Sequence, residues 1–573
     1  MNTTDSDRDG WSGEITVVGG GDIGGKAEGL VRIAREVLTE ITEGEFPEFA
    51  LRVPSFTVIG TDVFDEFMRL NDLYRVALSG DDDERIAHAF QKGVLPPQHL
   101  GALRQLAHDC NTPLAVRSSS RLEDALAHPF AGVYATKMTP NNQASPDERF
   151  RRLQEAVKFV YASTFFASAR TYIASLGRES QEEKMAVVIQ EVVGRRHGDR
   201  YYPTVSGVAR TYNYYPTGGA TPHDGTASLA LGLGCQIVDG GACWSYVPAY
   251  PMAPPPYADV RERMNSTQHS FWAVNVGKPP LPDPVKEAEY LIENSITDAE
   301  YDGSLDQVVS TYIPDSDVLR PGRRPRGPWC IDFSPMLTLG TLPINAVIQR
   351  LLALAERATG SAVEIELAVD IPADSREPAR LGFLQMRPMA VSTGQQTLAS
   401  EALEGADVVV AARHSLGDGT RDDVMDIVYV DPERFEASQT RQIAAELAEH
   451  NRRLLAEERP YILIGFGRWG SSDPWLGIPV EWGQIGGAAV LVEAALPQMN
   501  PDISQGSHFF HNLISFGVFY MATGRNAATP VDWDWLAEQQ LIASTDHICH
   551  VRTATPLRVT VDGLQGLGVI RHV

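Results

Sequence analysis

The sequence predicts a mixed α/β protein (α/β or α+β) built as two units, and three observations carry that prediction. An apolar run, a glycine-rich turn and an amphipathic pattern follow one another in 15-ITVVGGGDIGGKAEGLVRIAREVLTE-40. Two strand-like runs, 362–370 and 381–387, lie close enough in the chain to pair. Composition then shifts at 391-VSTGQQTLAS-400, and a fresh series of strand and helix patterns begins. The expected division is a disordered segment 1–14, a first domain 15–395 and a C-terminal α/β domain 396–573. Length alone would allow about three or four units of ~150 residues.

Taken in order, Leu30, Ile33, Val37 and Leu38 recur near helical spacing after the glycines,. Residues 51–68 predict a strand with a proline near its start, a turn, and a helix capped at Thr61 or Asp62,. A helical region extends to about 110, and 113-PLAV-116 begins a short strand. Residues 147–178 read as helix, 184–193 as a buried strand, and 201–250 as strands joined by Gly/Pro turns. Residues 251–330 are rich in Pro and Asp and only weakly periodic. A helix is expected over 341–359, ending near Gly360. Beyond the boundary, 424–430 reads as a strand, 438–457 as a helix, and 461–495 as strands and turns, with further strands closing the chain.

Composition excludes several classes. A formal net charge of −25 opposes non-specific nucleic-acid binding,. No run approaches the ~20 apolar residues of a membrane span. The first residues, MNTTDSDRDGWSGE, lack the features of a signal peptide,. Five cysteines, with no C-x-x-C pair, read as free thiols of a cytoplasmic protein,. The basic cluster 320-RPGRRPR-326 reads first as an exposed loop.

Three segments carry chemistry. In 19-GGGDIGGKAEGL-30, glycines allow backbone N–H groups near a phosphate, a helix start adds its dipole, and Lys26 adds a point charge. Ala27 stands where a P-loop needs Ser or Thr. In 114-LAVRSSSRLEDALAHPFAGVYAT-136, Arg117 emerges from a strand, and Ser118, Ser119 and Ser120 offer donors. Glu123 can orient Arg117, or pair with Ser120 as in a capping box. In the closing pair, Glu364, Glu366 and less clearly Asp370 share one strand face, and Gln385 and Arg387 share another. Carboxylate and amide oxygens suit Mg²⁺ completed by phosphate oxygens. Each segment also has a bland reading: a glycine turn, a capped helix start, a solvated hairpin face.

In order along the chain, GGKAEGL (24–30), VPSFTVIGTDVFDEF (53–67), VRSSSRLEDALAHPFAG (116–132), VVIQEVV (187–193) with SGVART (206–211), LGLGCQIVDGG (231–241), EIELAVD (364–370) and FLQMRP (383–388) resemble the ATP-binding domain of the phosphoenolpyruvate synthase and pyruvate phosphate dikinase family. The resemblance implies an ATP-grasp fold over roughly 15–390, with ATP and Mg²⁺ as cofactors. It implies that Lys26, Arg117 and Ser118 bind the phosphates, with Gly232 and Gly234 also at the nucleotide. Gln190 would lie near the purine, Glu366 and Gln385 would hold Mg²⁺, and Arg387 would contact the γ-phosphate or transferred group. Arg117 and Arg387 would then be catalytic. Cys235 stands where the family has Glu, and Arg210 where it has an apolar or aromatic residue.

The C-terminal part is similar, faintly, to the family's swivelling phosphohistidine domain. In 505-QGSHFFHNLISFGV-518, His508 precedes an expected helix, which suits a phosphoryl carrier; a structural histidine fits the same pattern. The segment 461-YILIGFGRWGSSDPWLGIPVEW-482 sets glycines beside Arg468 and two serines, which could grip an anion, with Trp469 and Trp475 available to stack or fill a core; the expectation is a ligand or domain-docking loop. The expectation is a dikinase-type phosphotransferase acting on an unknown small-molecule or protein acceptor, with a homo-oligomer or partner subunit allowed. An ATP-grasp ligase working through an acyl phosphate, and a non-catalytic nucleotide sensor, are the rivals.

Overall fold

The computed structural model describes residues 15–572 except 124–131, 176–177, 215, 217–218, 254–259, 325–326, 374–375, 390, 392–395, 472, 474, 497–512, 514–516 and 524–530. The segment 1–14, expected to be disordered, and His508 both lie outside these residues. The chain divides into two compact units. The first comprises 1–212, 218–237 and 242–389; the second comprises 213–217, 238–241 and 390–573.

The first unit is mixed α/β with several sheets. A five-stranded sheet runs Ile15–Val18, Phe56–Ile59, Ala186–Glu191, Leu114–Ser119, Thr136–Thr139. A six-stranded sheet runs Trp244–Tyr246, Thr226–Ala230, Val205–Arg210, Val363–Asp370, Ala379–Pro388, Phe49–Arg52. The strand expected around Pro54 is two strands, one in each sheet. Proline has no N–H for a ladder, and the chain changes sheet there. Phe49–Arg52 runs parallel to Ala379–Pro388, and Phe56–Ile59 runs parallel to Ile15–Val18.

The helix expected over 147–178 is also broken, into Pro146–Ser163 and Ala167–Ser175. The weakly periodic region contains strands at Ser270–Asn275, Leu291–Ser295 and Val309–Ile313. Helix Ile344–Thr359 ends on Gly360 at φ +68°, a left-handed cap that glycine adopts without strain,. Its buried face, with Val347, Ile348, Leu351 and Ala355, joins Ile365, Leu367, Leu381 and Phe383 in one core.

The second unit is built on a nine-stranded mixed sheet. Gly419–Val430, Tyr461–Phe466, Ala488–Ala494 and Phe519–Thr523 lie side by side and parallel. Helix Thr440–Ala456 makes the first crossover, and its Ile443, Ala444, Leu447 and Leu454 are buried. Ile548–Asp562 pairs antiparallel with Gly419–Val430 and with Leu567–Arg571. Among the described residues, no helix is long and apolar enough to cross a membrane.

Candidate functional site

The glycine turn is docked on the arginine-serine strand. Gly24 opens the helix Gly24–Arg32 at φ +73°, and its N–H donates to Asp22 Oδ1 at 2.9 Å. Ser119 Oγ donates to Ile23 O at 2.8 Å and accepts from Ala27 N–H at 3.1 Å. The Gly25 N–H donates to Ser120 O at 3.2 Å. The missing side chain of Gly24 allows this approach, because a Cβ there would lie 1.7 Å from the Ser119 carbonyl oxygen.

Lys26 is thereby placed against the same strand. Its Nζ donates to Ser118 Oγ at 3.2 Å and pairs with Glu123. Glu123 is 2% exposed and also accepts from Ser118 Oγ (2.9 Å) and from the Ser120 N–H (3.1 Å). Glu123 thus reaches back to the Ser120 N–H, one half of a capping box, and it balances Lys26 rather than Arg117, the partner expected from the sequence. Behind it lies Glu183, which nothing in the sequence pattern marks. Burial pushes its carboxyl up to about 7, opposed by a hydrogen bond with Ser120 and reinforced by the charge of Glu123.

Arg117 spans from the five-stranded sheet to the six-stranded one. Its Nη1 donates to Gln190 Oε1 (3.4 Å) and to the Leu384 carbonyl (3.1 Å). Its Nη2 donates to Gln385 Oε1 (2.6 Å) and faces Glu366 Oε2 at 3.4 Å. Pairing explains the convergence. Glu366 is opposite Gln385, and Glu364 is opposite Arg387, on neighbouring strands. The register shifts after Glu366. Arg117, Gln190, Glu366 and Gln385 are thus one cluster. Asp370 does not join it: Arg195 takes both its oxygens, at 2.8 and 3.1 Å.

Arg387 belongs to a second, buried group. Its Nε donates to Glu364 Oε1 at 2.6 Å, and Arg210 Nε donates to Glu364 Oε2 at 2.6 Å. The three side chains are 4%, 2% and 1% exposed in the order Arg387, Glu364, Arg210. Two guanidiniums on one carboxylate hold Arg387 in a fixed orientation. Arg210, notable in the sequence only as a departure, is what completes the arrangement.

Gly232 and Gly234 follow the strand Thr226–Ala230, which is separated from Val363–Asp370 by Val205–Arg210. Gly232 adopts φ +86°, its carbonyl accepts from Ser206 Oγ at 2.7 Å, and the Leu233 N–H donates to Trp272 O at 2.9 Å. Cys235 starts the short helix Cys235–Val238.

The 461–482 segment is built inward. Trp469 and Arg468 are buried, whereas Trp475 is 72% exposed. Arg468 Nη1 donates to Gly240 O at 3.0 Å. Beneath the turn, Glu493 accepts from the Trp469 N–H at 2.9 Å and from Tyr520 Oη at 2.5 Å. Burial pushes Glu493 up to about 7, against those two hydrogen bonds. Its folded value therefore exceeds that of an unfolded glutamate, so its contribution is present below about pH 4.5 and lost as pH rises through about 7. Glu493→Gln keeps an acceptor and removes the ionisation. It is expected to raise stability at pH 8.5 by up to about 3 kcal/mol, with no gain at pH 4. Urea unfolding of both proteins at the two pH values checks this; an equal difference at both would refute it.

Among the described residues, no group of three or more His, Cys, Asp or Glu side chains is placed to hold a metal. Among curated proteins, none matches the chain. A family model does match, over residues 21–405, which contains Lys26, Arg117, Gln190, Glu366, Gln385 and Arg387. The first unit is therefore an α/β domain of the AMP/ATP-binding class. Its family is the pyruvate phosphate dikinase AMP/ATP-binding domain, and the chain belongs to it.

Proposed function

We propose that the chain is an ATP-dependent phosphotransferase of the dikinase type. In this reading residues 15–395 form an ATP-grasp domain, and 396–573 carry or receive the phosphoryl group. The observation that carries it is Arg117, a cation from one sheet held by Gln190, Glu366 and Gln385, with Lys26 and Ser118 beside it on the same strand and the docked helix. A guanidinium fork and an ammonium gathered at the end of one strand suit a polyphosphate.

The residues present fit Mg²⁺. Glu366 Oε2 and Gln385 Oε1 already converge on one cationic group, and both are hard oxygen donors,. Glu366 and Gln385 would hold the ion, which neutralises phosphate charge when bound. With nucleotide present, Arg117 exchanges these acceptors for phosphate oxygens. Lys26 likewise leaves Glu123, whose charge stays satisfied by Ser118 and the Ser120 N–H. Arg387, fixed by Glu364 and Arg210, supplies charge where the transferred group gains it. The acceptor is an unidentified small molecule or protein, the setting the cytoplasm, and nucleic acid and membrane take no part.

The test is to incubate the full chain with Mg²⁺ and ATP labelled at the β and γ positions and to identify the products. AMP supports the dikinase reading. ADP alone would replace it with a kinase or ligase. Binding without turnover would leave a sensor. Within the proposal, Glu366→Gln is expected to lower turnover about 100-fold while ATP affinity changes little. Equal loss of affinity and rate would place Glu366 in ground-state binding instead.

A further inference from the structure

The second unit holds a charge cluster that the family match does not cover. Asp426, 1% exposed, lies at the centre. Its Oδ1 accepts from His550 Nε2 at 2.8 Å and from Arg552 Nε at 2.9 Å. Its Oδ2 accepts from Arg459 Nε at 2.7 Å and pairs with Arg459 Nη2 at 2.6 Å. Arg453 Nη2 meets the other ring nitrogen of His550 at 2.5 Å. His550 therefore donates to the carboxylate through Nε2 and accepts from the guanidinium through Nδ1. Arg453 and His450 come from helix Thr440–Ala456, Arg459 precedes the next strand, and His550 and Arg552 lie on Ile548–Asp562.

A fold-stabilising ion pair needs one cation per carboxylate. Here two guanidiniums and an imidazole hold Asp426, and a third guanidinium, Arg453, meets the far side of that imidazole. The next carboxylate, Glu457, is 4.0 Å from Arg552 Nη2 and is about half exposed. Glu446 is taken by His547, Thr545 and Gln442, and Glu449 pairs with Arg452. The Nη1 groups of Arg453, Arg459 and Arg552 donate to no described residue, and the side chains of Arg459 and Arg552 are 31% and 28% exposed. The cluster is thus closed on the Asp426 side and open on the solvent side.

His450 is the second, independent sign. It is 4% exposed, and neither ring nitrogen has a hydrogen-bond partner among the described residues. Its ring is 6.0 Å from that of His550, edge to face. Burial pushes it down to about 4, with repulsion from Arg453 adding to the fall. It is therefore neutral at pH 7, with one N–H to donate. A buried donor left unsatisfied is costly. A cluster with surplus cationic donors and an orphan N–H calls for an oxyanion.

We propose that Arg453, Arg459 and Arg552 form a binding site for a phosphate dianion, free or carried as a monoester on a small metabolite. Asp426 and His550 orient the guanidiniums, and His450 lends its N–H. Three forks match the several acceptor oxygens of phosphate better than the two of a carboxylate. The site is separate from the nucleotide residues, so it stands or falls independently of the proposed activity.

Isothermal titration of the full chain without nucleotide tests it, using inorganic phosphate and glycerol 3-phosphate in separate runs. Saturable binding with a Kd below about 1 mM is expected for at least one. It should weaken about tenfold or more in Arg552→Gln and persist in Arg117→Ala. Tighter binding of the monoester marks a metabolite site; tighter binding of inorganic phosphate marks a free-ion site. If Arg552→Gln misfolds, phenylglyoxal labelling of the wild-type chain replaces it, and phosphate should protect Arg552. No saturable binding, binding abolished by Arg117→Ala but kept in Arg552→Gln, or no protection of Arg552 overturns the proposal.

Discussion

Arg117→Ala is expected to lower ATP turnover by about 10²–10³-fold, the scale seen when one preorganised charge donor is removed from a reacting centre. The argument rests on what the guanidinium touches. It donates to Gln190, Gln385 and the Leu384 carbonyl and faces Glu366. Removing it deletes the cation proposed to bind the phosphates. It also leaves a carboxylate and two amides without their cation, at the place where the proposed function would have Glu366 and Gln385 hold an ion. Both ATP affinity and rate should fall, and Arg117→Lys should restore charge without the fork, recovering only part. Single-turnover kinetics with a parallel melting curve separates this from unfolding. Unchanged turnover would mean that Arg117 only ties the two sheets together, and the capped-loop reading of 114–136 would stand alone.

Gly24→Ala is expected to cost about 3 kcal/mol or more of stability. Two effects add. A left-handed conformation costs an L-residue about 1–2 kcal/mol, and Gly24 is at φ +73°. The new Cβ would also lie 1.7 Å from the Ser119 carbonyl oxygen, a backbone atom that cannot turn aside. The helix must then lift from the strand, breaking the Ser119 Oγ contacts to Ile23 and Ala27 and moving Lys26 from Ser118. Gly44 gives the matched control. It has φ +83°, but a Cβ at that position would meet nothing within 4 Å. Gly44→Ala should cost only about 1–2 kcal/mol and leave ATP binding intact. Equal costs in the two variants, by urea unfolding, would show that backbone conformation and not the Ser119 contact limits position 24.

Much of this arrangement was legible in local pattern. Strand periodicity placed Glu364 and Glu366 on one face and Gln385 and Arg387 on another, and the structure pairs them as opposite residues. Helix end signals were equally readable at Gly360. Local pattern fails where partners are distant. That Asp370 is claimed by Arg195, that Arg210 completes the Glu364 group, and that Glu183 lies behind Glu123 depend on which strands become neighbours. Periodicity carries no such information. Pro54 marked a break but not the change of sheet, because a proline states only that one N–H is missing. The cluster around Asp426 is assembled from a helix, a loop and two strands, so no single segment displays it.

The sheet change at Pro54 bears on the order in which this unit can be made. Phe49–Arg52 is an edge strand whose ladder partner is Ala379–Pro388. Arg117 meets its acceptors across sequence separations of 249 and 268 residues. Contacts so remote carry a large loop-closure cost and form slowly. On the ribosome, the first sheet has all its strands once residue 191 has emerged, whereas the second waits for residues up to 388. Until then the early edge strand stays unpaired and open to wrong partners. The cluster that joins Arg117 to Glu366 and Gln385 is consequently the last part of the unit to appear, and a chain released before residue 388 has no way to build it.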